Sequence, residues 1–295
     1  MHSRLLQQFL AVAEKRNVTA AAEALHISQP ALTRSIRQLE HIIGVTLFER
    51  LPTGVALTRQ GEILARRAKL MDLEYRHALA EISALDQGLA GVLRIGAGPL
   101  WITSLLPPVI AAFCAQYPKV KTRLTSGVID TLVPDLLSGD IDIFCSNLDF
   151  PAQSEIVKEP LLEVHHTVVA RNSHPLAREG EVTAEQLSKY RWLVLADDTV
   201  GINRINAYFV AHSLEPPTIA VETVSMGIIK ILREGDFLAL FPERMLPDAA
   251  RFDLVPIPHE GTFWESTAGI AYRRTNRPIR PVESFKAILK ASLSE

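Results

Sequence analysis

A short run of polar side chains near the N-terminus has the composition of a surface that recognises nucleic acid. Gln29 carries an amide that can form two hydrogen bonds with an adenine edge, and Thr33 offers a hydroxyl and a methyl group. Arg34 and Arg37 can bind phosphate groups or guanine. At about 100° per helical residue, one face holds Pro30, Thr33, Arg34 and Arg37. The sequence therefore predicts a helix that contacts double-stranded DNA.

The helix that must carry these side chains has a regular apolar stripe. Apolar residues recur at intervals of four, three and four positions, which places them on one buried face. They are Leu32, Ile36, Leu39 and Ile43. Ser28 can cap the helix with its hydroxyl, and Pro30 lies in the first turn, where a missing N–H costs little. Gln29 is then left at the exposed N-terminal tip.

Two further helices are predicted before this one. The first has helical spacing of Leu5, Leu6, Phe9, Val12 and Ala13. Residues 19–25 form a second, very short helix with Thr19 close to its N-terminus, where the hydroxyl can accept a hydrogen bond from an N–H group. Two helices joined by the short turn at His26 and Ile27 make a helix-turn-helix, which places polar side chains in the major groove. The alternative is a small helical domain whose polar face meets only water.

A β-hairpin is predicted after the third helix. Residues 45–48 and 55–58 are β-type segments, and residues 49–54 between them contain Pro and Gly, as turns do. A wing of this kind can place Arg50 against a phosphate group or in the minor groove.

Four motifs in this region are similar, in order and spacing, to the N-terminal domain of the LysR-type transcriptional regulators. They are T-x-A-A-x-x-L from Thr19, S-Q-P-A-L-T-R-x-I-x-x-L-E from Ser28, G-x-x-L-F-x-R from Gly44 and L-T-x-x-G from Leu57. The sequence departs from the family pattern at Thr53, where a second arginine is common, and at Thr33, where serine is commoner. The resemblance implies a winged helix-turn-helix. Its expected DNA contacts are Thr19, Ser28, Gln29, Pro30, Thr33, Arg34, Arg37 and Arg50.

Charge is distributed unevenly along the 295 residues. Residues 1–69 carry ten Lys and Arg against five Asp and Glu, a net charge of +5, and the remaining residues carry a net charge of −7. A basic N-terminal region on an acidic remainder indicates that the N-terminal region contacts a polyanion.

Thr58 can cap a long helix that begins at Arg59, directly after the predicted wing. Apolar residues then recur at steps of four and three, which is the heptad pattern of a coiled coil. They are Leu64, Ala68, Met71, Tyr75, Ala78, Ile82, Leu85 and Leu89. We expect this seam to pair two chains, with the helix ending at Gly88 and Gly91, and a dimer implies a pseudo-palindromic DNA site. The alternative is a long helix that packs on its own domain.

From residue 92 onward, strands alternate with helices, which predicts a parallel α/β sheet. The first helix of this region is expected from Thr103, and the pattern repeats from a strand at Val164. Two similar halves predict two lobes with a cleft between them. The resemblance implies a periplasmic-binding-protein-like effector domain, with the chain crossing between lobes near residues 161–164 and returning near 266–269.

The predicted domains are residues 1–58 (winged helix-turn-helix), 59–90 (linker and dimerisation helix) and 91–295 (effector binding). The effector-binding domain is divided into lobe I, residues 91–162 and 267–295, and lobe II, residues 163–266.

Ligands of such sheets bind at the carboxyl ends of strands, beside helix N-termini. Those positions hold apolar residues, small polar residues and a tryptophan, but no Arg or Lys. Matched onto the cleft of the family, the expected effector contacts are Leu100, Trp101, Ser126, Val128, Asn147, Thr199 and Val200. Leu100, Val128 and Val200 are equally compatible with a core role. A neutral or singly charged ligand, such as an aromatic acid or a sugar-like molecule, fits this set better than a polyanion.

No pattern predicts a catalytic site, a metal or a cofactor. The sequence has no Walker loop, no GxGxxG after a strand, no HExxH and no GxSxG. Cys114 and Cys145 are far from a CxxC spacing, so we expect two buried structural thiols in a reducing compartment. No apolar run approaches the roughly 18 residues that span a bilayer. The first residues do not resemble a signal peptide, so a cytoplasmic location without membrane contact is expected.

These observations predict a LysR-type regulator that binds operator DNA and responds to a small molecule. The resemblance further implies a homodimer that pairs into a homotetramer, and it admits RNA polymerase as another partner. Effector binding is expected to close the cleft and change how the DNA is bent. Two alternatives stay open: an α/β enzyme with a helical appendage, and a regulator that acts through a protein partner without a small-molecule effector.

Overall fold

The computed structural model describes residues 4–52, 54–87, 91–275 and 280–294. The chain divides into two compact units, the first formed mainly by residues 1–89 and the second by most of the remaining chain. None of the described helices is long and apolar enough to span a bilayer.

The first unit begins with the head, which we define as residues 4–58. Its helices are α1 (Arg4–Lys15), α2 (Val18–Ala24) and α3 (Gln29–Ile43). Phe9 from α1 and the first three residues of the apolar stripe of α3 are buried in a common core. The prediction that Ile43 is buried is wrong, since its side chain is 42% exposed. Ile43 lies in the last turn of α3, directly before Gly44 ends the helix with φ +82°.

Helix α2 is capped by Asn17. The side-chain oxygen of Asn17 accepts hydrogen bonds from the backbone N–H groups of Thr19 and Ala20, at 2.9 and 3.1 Å. Asn17 has the extended backbone of an N-cap residue, with φ −148°. The expectation that the Thr19 hydroxyl accepts these bonds is therefore wrong, because Thr19 lies inside the first turn.

The wing is a tight antiparallel hairpin in which Arg50 lies opposite Val55. Its strands are β1 (Phe48–Leu51) and β2 (Gly54–Leu57). The first strand begins three residues later than predicted, because the chain before it packs on the core of the head. Leu47 is buried there, and its N–H donates to Glu40 Oε1 at 2.8 Å. Thr53 lies outside the described residues.

Helix α4 (Arg59–Gln87) begins where the sequence predicts. The hydroxyl oxygen of Thr58 accepts a hydrogen bond from the N–H of Gly61 at 3.0 Å, which confirms the cap. Gly88 lies outside the described residues, and Gly91 is the first residue of the next strand rather than part of the helix end.

The heptad seam of α4 has two different environments. Leu64 packs against the core of the head. Farther along, the side chains of Met71, Tyr75 and Ile82 are 57%, 39% and 61% exposed. The side chain of Leu85 and the whole of Leu89 lie outside the described residues. An apolar stripe that stays exposed on a long helix is typical of a surface that pairs with another helix.

The second unit alternates strands and helices. Its first elements are β3 (Gly91–Ala97), a π-helical turn (Trp101–Leu105), α5 (Leu106–Gln116), β4 (Val120–Ser126), α6 (Ile129–Ser138) and β5 (Ile143–Asn147). They are followed by β6 (Ile156–Arg171), α7 (Ala184–Ser188), β7 (Arg191–Leu195), α8 (Thr199–Ala211), β8 (Ile219–Thr223), α9 (Ser225–Glu234) and β9 (Phe237–Pro242). The last are α10 (Leu246–Ala250), β10 (Leu254–Ile257), β11 (Trp264–Arg273) and α11 (Arg280–Ser294).

Over the described residues, nine strands form one continuous sheet in the order β4–β3–β5–β11–β6–β9–β7–β8, with β10 also paired to β6. The strands on each side, β3 to β5 and β7 to β9, pair in parallel as predicted. The pairs made by β6 and β11 are antiparallel. The prediction of a parallel sheet is therefore wrong at its centre. We call the part built on β3–β5 lobe I and the part built on β7–β10 lobe II.

Strands β6 and β11 are long and belong to both lobes. They pair along the whole length of β11, with a shift in register between Ala268 and Gly269. A Cβ atom on Gly269 would lie 2.1 Å from the carbonyl oxygen of Glu159, so only glycine fits this approach. β6 starts at Ile156, well before the predicted Val164, because the crossing between lobes is made by paired strands rather than by loops.

Helical structure after β3 starts at Pro99 rather than at Thr103. Proline is favoured in a first turn, and the Thr103 hydroxyl donates to the Pro99 carbonyl oxygen at 2.8 Å. Trp101, which precedes the predicted start of this helix, therefore lies in the first helical turns and is 1% exposed.

The two cysteines differ in environment. Cys145 is buried in β5, and burial raises the pKa of its thiol. Cys114 is exposed on α5, so the prediction that it is buried is wrong.

We expect Asn17→Ala to loosen α2, because two N–H groups lose their acceptor. Losing such a cap costs about 0.5–2 kcal/mol. Hydrogen exchange of the Thr19 and Ala20 amides in the full-length protein should therefore become several-fold faster. Thr19→Ala is the control, since it leaves the Asn17 cap in place. Faster exchange in the control than in Asn17→Ala would contradict the assignment of the cap.

Candidate nucleic-acid interface and ligand cavity

The N-terminal part of α3 presents its polar face to solvent. The Ser28 hydroxyl oxygen accepts a hydrogen bond from the N–H of Ala31 at 3.4 Å, which confirms the predicted cap. The exposed residues of this face are Gln29, Pro30, Arg34 and Arg37, and Thr33 is half-buried beside them. The buried stripe on the opposite side holds the helix against the core of the head. The predicted contact residues of α3 are thus accessible to a ligand as large as DNA.

Gln29 and Thr33 are joined across one helical turn. The Gln29 Nε2 atom donates to Thr33 Oγ1 at 3.1 Å. This bond restrains the amide and leaves its oxygen and a second N–H for another partner. Among the described residues, no salt bridge engages Arg34 or Arg37. Their guanidinium groups can therefore bind an external phosphate without breaking an internal ion pair.

The two remaining contact residues also lie at the surface of the head. Thr19 is exposed in the first turn of α2, and Arg50 is exposed on β1. Together with the polar face of α3, they carry the donors expected of a winged helix-turn-helix surface.

A cavity of about 110 Å³ lies between the lobes of the second unit. Its wall includes the first helical turn after β3, the ends of β5 and β7, and the first turns of α6, α8 and α9. Strand ends and helix N-termini of this kind bind ligands in α/β sheets. An apolar protein cavity of about 150 Å³ accepts benzene. The cavity therefore suits a ligand of about one ring.

Four of the seven predicted effector contacts line this cavity. They are Leu100, Trp101, Val128 and Asn147. The first three are buried and supply apolar wall, and Asn147 is half-buried and supplies an amide.

The structure does not bring the other three into the cavity wall. Ser126 is exposed at the end of β4, which is an edge strand. Val200 packs against the core of lobe II. Thr199 is exposed, and both its backbone N–H and its hydroxyl donate to Asp130 Oδ2, at 2.9 and 2.6 Å. Its polar groups are thus used to join α8 to α6 rather than to face the cavity.

Several wall residues were missed by the sequence prediction. They come from the crossing strands β6 and β11 and from the start of α8 and α9: Val164, His166, Trp264, Ser266, Asp198 and Ser225. The alternation of a strand, which separates exposed His165 from buried His166, was a usable signal for one of them. The segment before Trp264 has no strand pattern, so nothing in the sequence placed it opposite β6.

His166 and Trp264 form an aromatic pair in the cavity wall. Their rings stack with centroids 4.1 Å apart and an interplanar angle of 14°. The His166 Nδ1 atom lies 3.3 Å from the carbonyl oxygen of Trp264, within hydrogen-bonding distance. Burial is the main cause that lowers the pKa of His166 to about 4. The ring is therefore neutral near pH 7.

Hydrogen bonds and an ion pair join the two lobes around the cavity. The Ser104 hydroxyl of lobe I donates to Asp248 Oδ2 of lobe II at 2.7 Å. Asp149, after β5, accepts a hydrogen bond from Trp264 Nε1 at 2.8 Å and pairs with Arg204 of α8 at 3.4 Å. With the Asp130–Thr199 contact, these links hold the lobes close together.

No cluster of His, Cys, Asp and Glu within the described residues could hold a metal ion.

Two family models together match almost the whole chain. Residues 3–62 match the bacterial regulatory helix-turn-helix protein of the lysR family, and residues 86–294 match the LysR substrate binding domain. The second match alone covers more than half of the chain.

Individual proteins show the same similarity. The chain is 28% identical over 295 residues to the HTH-type transcriptional regulator PcaQ of Agrobacterium fabrum, covering 99% of this chain and 95% of that protein. It is 30% identical over 294 residues to the uncharacterized HTH-type transcriptional regulator YybE of Bacillus subtilis, covering 98% of each.

Among solved structures, full-length CbnR complexed with its target DNA matches with a TM-score of 0.68 at 23% identity, covering 99% of this chain and all of that one. A full-length OxyR variant from Pseudomonas aeruginosa matches with a TM-score of 0.66 at 23% identity, covering 99% and 95%. At this level of identity the two structures support the fold.

The pKa of His166 predicts a pH dependence of stability. In the unfolded state His166 binds a proton as the pH falls through 6.5, whereas in the folded state it binds one only near pH 4. Stability is therefore lost as the pH falls through this window, because protonation favours the unfolded state. Melting temperatures measured between pH 7 and pH 4 should fall more steeply for the wild type than for His166→Gln. His165→Gln, at the exposed neighbour, is the control and should follow the wild type. Parallel curves for the wild type and His166→Gln would contradict the burial of an uncharged ring.

Proposed function

Because the chain belongs to the LysR family of bacterial transcriptional regulators, we propose that α3 reads operator DNA in the major groove and that a small molecule in the cavity between the lobes controls this binding. The matching relatives are regulators, so the chain is a DNA-binding regulator and not an enzyme. The observation that carries the proposal is the exposed polar face of α3 on a buried apolar stripe.

Within this proposal, some residues of α3 contact base edges and others contact phosphates. Gln29, restrained by Thr33, offers an acceptor and a donor to a base edge. Arg34 and Arg37 bind phosphates and set the position of the helix on the duplex. Ser28 and Pro30 shape the helix N-terminus that faces the DNA backbone. Thr19 and Arg50 extend the contact along the DNA on either side of α3.

We propose that α4 pairs two chains through the exposed part of its seam. Isolated apolar residues are common on protein surfaces, but an exposed row at heptad spacing is unusual. Two paired chains present two heads to a pseudo-palindromic site, and two such dimers make the tetramer. The RNA polymerase contact expected from the resemblance belongs to the same assembly on DNA.

We propose that the effector binds between the lobes and shifts their arrangement. The links from Ser104, Asp130 and Asp149 to lobe II stabilise the present arrangement of the lobes. A ligand that binds one arrangement of the lobes better than another changes the population of that arrangement. The small, mainly apolar cavity favours a small molecule over a protein partner as the signal.

Arg34→Ala and Gln29→Ala should weaken DNA binding in different ways. Arg34→Ala removes a phosphate contact, so affinity should fall on all sequences and the slope of log K against log salt should decrease by about one unit. Gln29→Ala should relax sequence preference by about 1–3 kcal/mol at one base pair. Both effects are measured by titrating each variant, at several salt concentrations, against the DNA upstream of the gene that encodes this protein and against scrambled DNA. Wild-type binding by both variants would contradict the role of α3.

Ile82→Asp should disrupt the dimer, because a buried unpaired charge costs several kcal/mol. Sedimentation velocity should show a smaller species, and operator affinity should fall. Ile63→Asp is a matched control, since Ile63 is an exposed apolar residue of α4 outside the seam. An unchanged oligomer for Ile82→Asp would show that the seam is not the dimer contact.

A further inference from the structure

The cavity wall contains very little charge. Of the described residues that line it, only Asp198 and His166 carry an ionisable acid or base: burial lowers the pKa of His166, whose ring is neutral near pH 7, and burial raises the pKa of the Asp198 carboxyl above its ordinary value. No Lys or Arg side chain contributes to the described wall. A ligand with a carboxylate or phosphate group would lie near the Asp198 carboxyl group, and no Lys or Arg of the described wall would balance its charge.

The N-terminus of α8, one of the helix N-termini in the wall, is already occupied by the protein itself. Asp198 Oδ1 accepts a hydrogen bond from the N–H of Gly201 at 3.0 Å. Asp130 Oδ2 accepts one from the N–H of Thr199 at 2.9 Å. Two carboxylates thus neutralise the partial positive charge at the start of α8, which would otherwise favour an anionic ligand.

Two buried polar atoms of the wall lack partners among the described residues. They are Nε1 of Trp101, a donor, and Oγ of Ser266, a donor and acceptor. Buried polar groups are stable when they are hydrogen-bonded, so both atoms favour a ligand that supplies a hydrogen-bond acceptor. The remaining wall is mainly aliphatic and aromatic, with the His166–Trp264 stack on one side.

We propose that the effector is an uncharged molecule of about one ring, which accepts a hydrogen bond in the cavity and donates one to Asp198. This inference rests on the proposed function, since it assumes that the cavity is the sensory site. It narrows the ligand class, because it excludes the aromatic acids that the sequence left open.

Four one-ring probes that differ mainly in their polar group test the proposal: benzamide, benzyl alcohol, benzoate and benzylammonium. Each is titrated into the full-length protein, with binding followed by calorimetry and by tryptophan fluorescence. We expect benzamide or benzyl alcohol to bind about tenfold more tightly than benzoate. Tighter binding of benzoate, or no binding of either neutral probe at millimolar concentration, would overturn the proposal. Tighter binding of benzylammonium than of benzamide would also overturn it, in favour of a cationic ligand.

Asp198→Asn removes the carboxylate but keeps the cap of α8, because asparagine caps helices as well as aspartate does. In this variant the preference for benzamide over benzoate should shrink several-fold. Asp197→Asn is the matched control: it removes the same charge from the adjacent, exposed residue, whose φ of +61° asparagine tolerates. An equal change in both variants would overturn the role of Asp198.

Operator binding is measured on the same preparations. Loss of DNA binding by the wild type would overturn the proposed function, whereas DNA binding with a preference for benzoate would overturn only the ligand class.

Discussion

The pairing of β6 with β11 is the constraint on which the second unit depends. These antiparallel strands run through both lobes and make one sheet of two parallel halves. Their register places Trp264 opposite His166 and Ser266 opposite Val164, so four cavity residues come from one short stretch of the ladder. The close approach of strands at Gly269 holds that register. A slip by one residue would turn these side chains to the opposite face.

Carboxylates at helix N-termini have a second organising role. Asp198 caps α8 from its own lobe, and Asp130 reaches the same helix end from α6 of lobe I. Such contacts stabilise the helix dipole and join the lobes. They also use two backbone N–H donors at the start of α8. The same interactions therefore join the lobes around the cavity and occupy a helix end in its wall.

The head works differently, because its contact surface is built within a few helical turns. Ser28 caps α3, and the hydrogen bond from Gln29 to Thr33 restrains the tip of the same helix. A surface of this kind needs little from the rest of the chain beyond the core that holds α3 in place. Its form therefore depends mainly on short-range contacts within the head.

A structural feature can be predicted from the sequence alone when the residues that determine it lie close together along the chain. The apolar stripe and cap of α3, the cap of α4 and most strands and helices follow from neighbours within a few residues, and the sequence alone predicts them. Even there, Asn17 displaced Thr19 as the cap of α2, since both residue types can cap and only the backbone at position 17 is extended.

The cavity was decided by the tertiary structure. Thr199 and Asp130 are 69 residues apart, and their hydrogen bond removes from the site a hydroxyl that the sequence placed there. His166 and Trp264 are 98 residues apart, and their stack enters the wall only because β6 pairs with β11. The sequence determined that a cleft forms at the strand ends, because that follows from the order of strands and helices. Which side chains line the cleft depends on strand register and contacts between lobes, which no local pattern encodes.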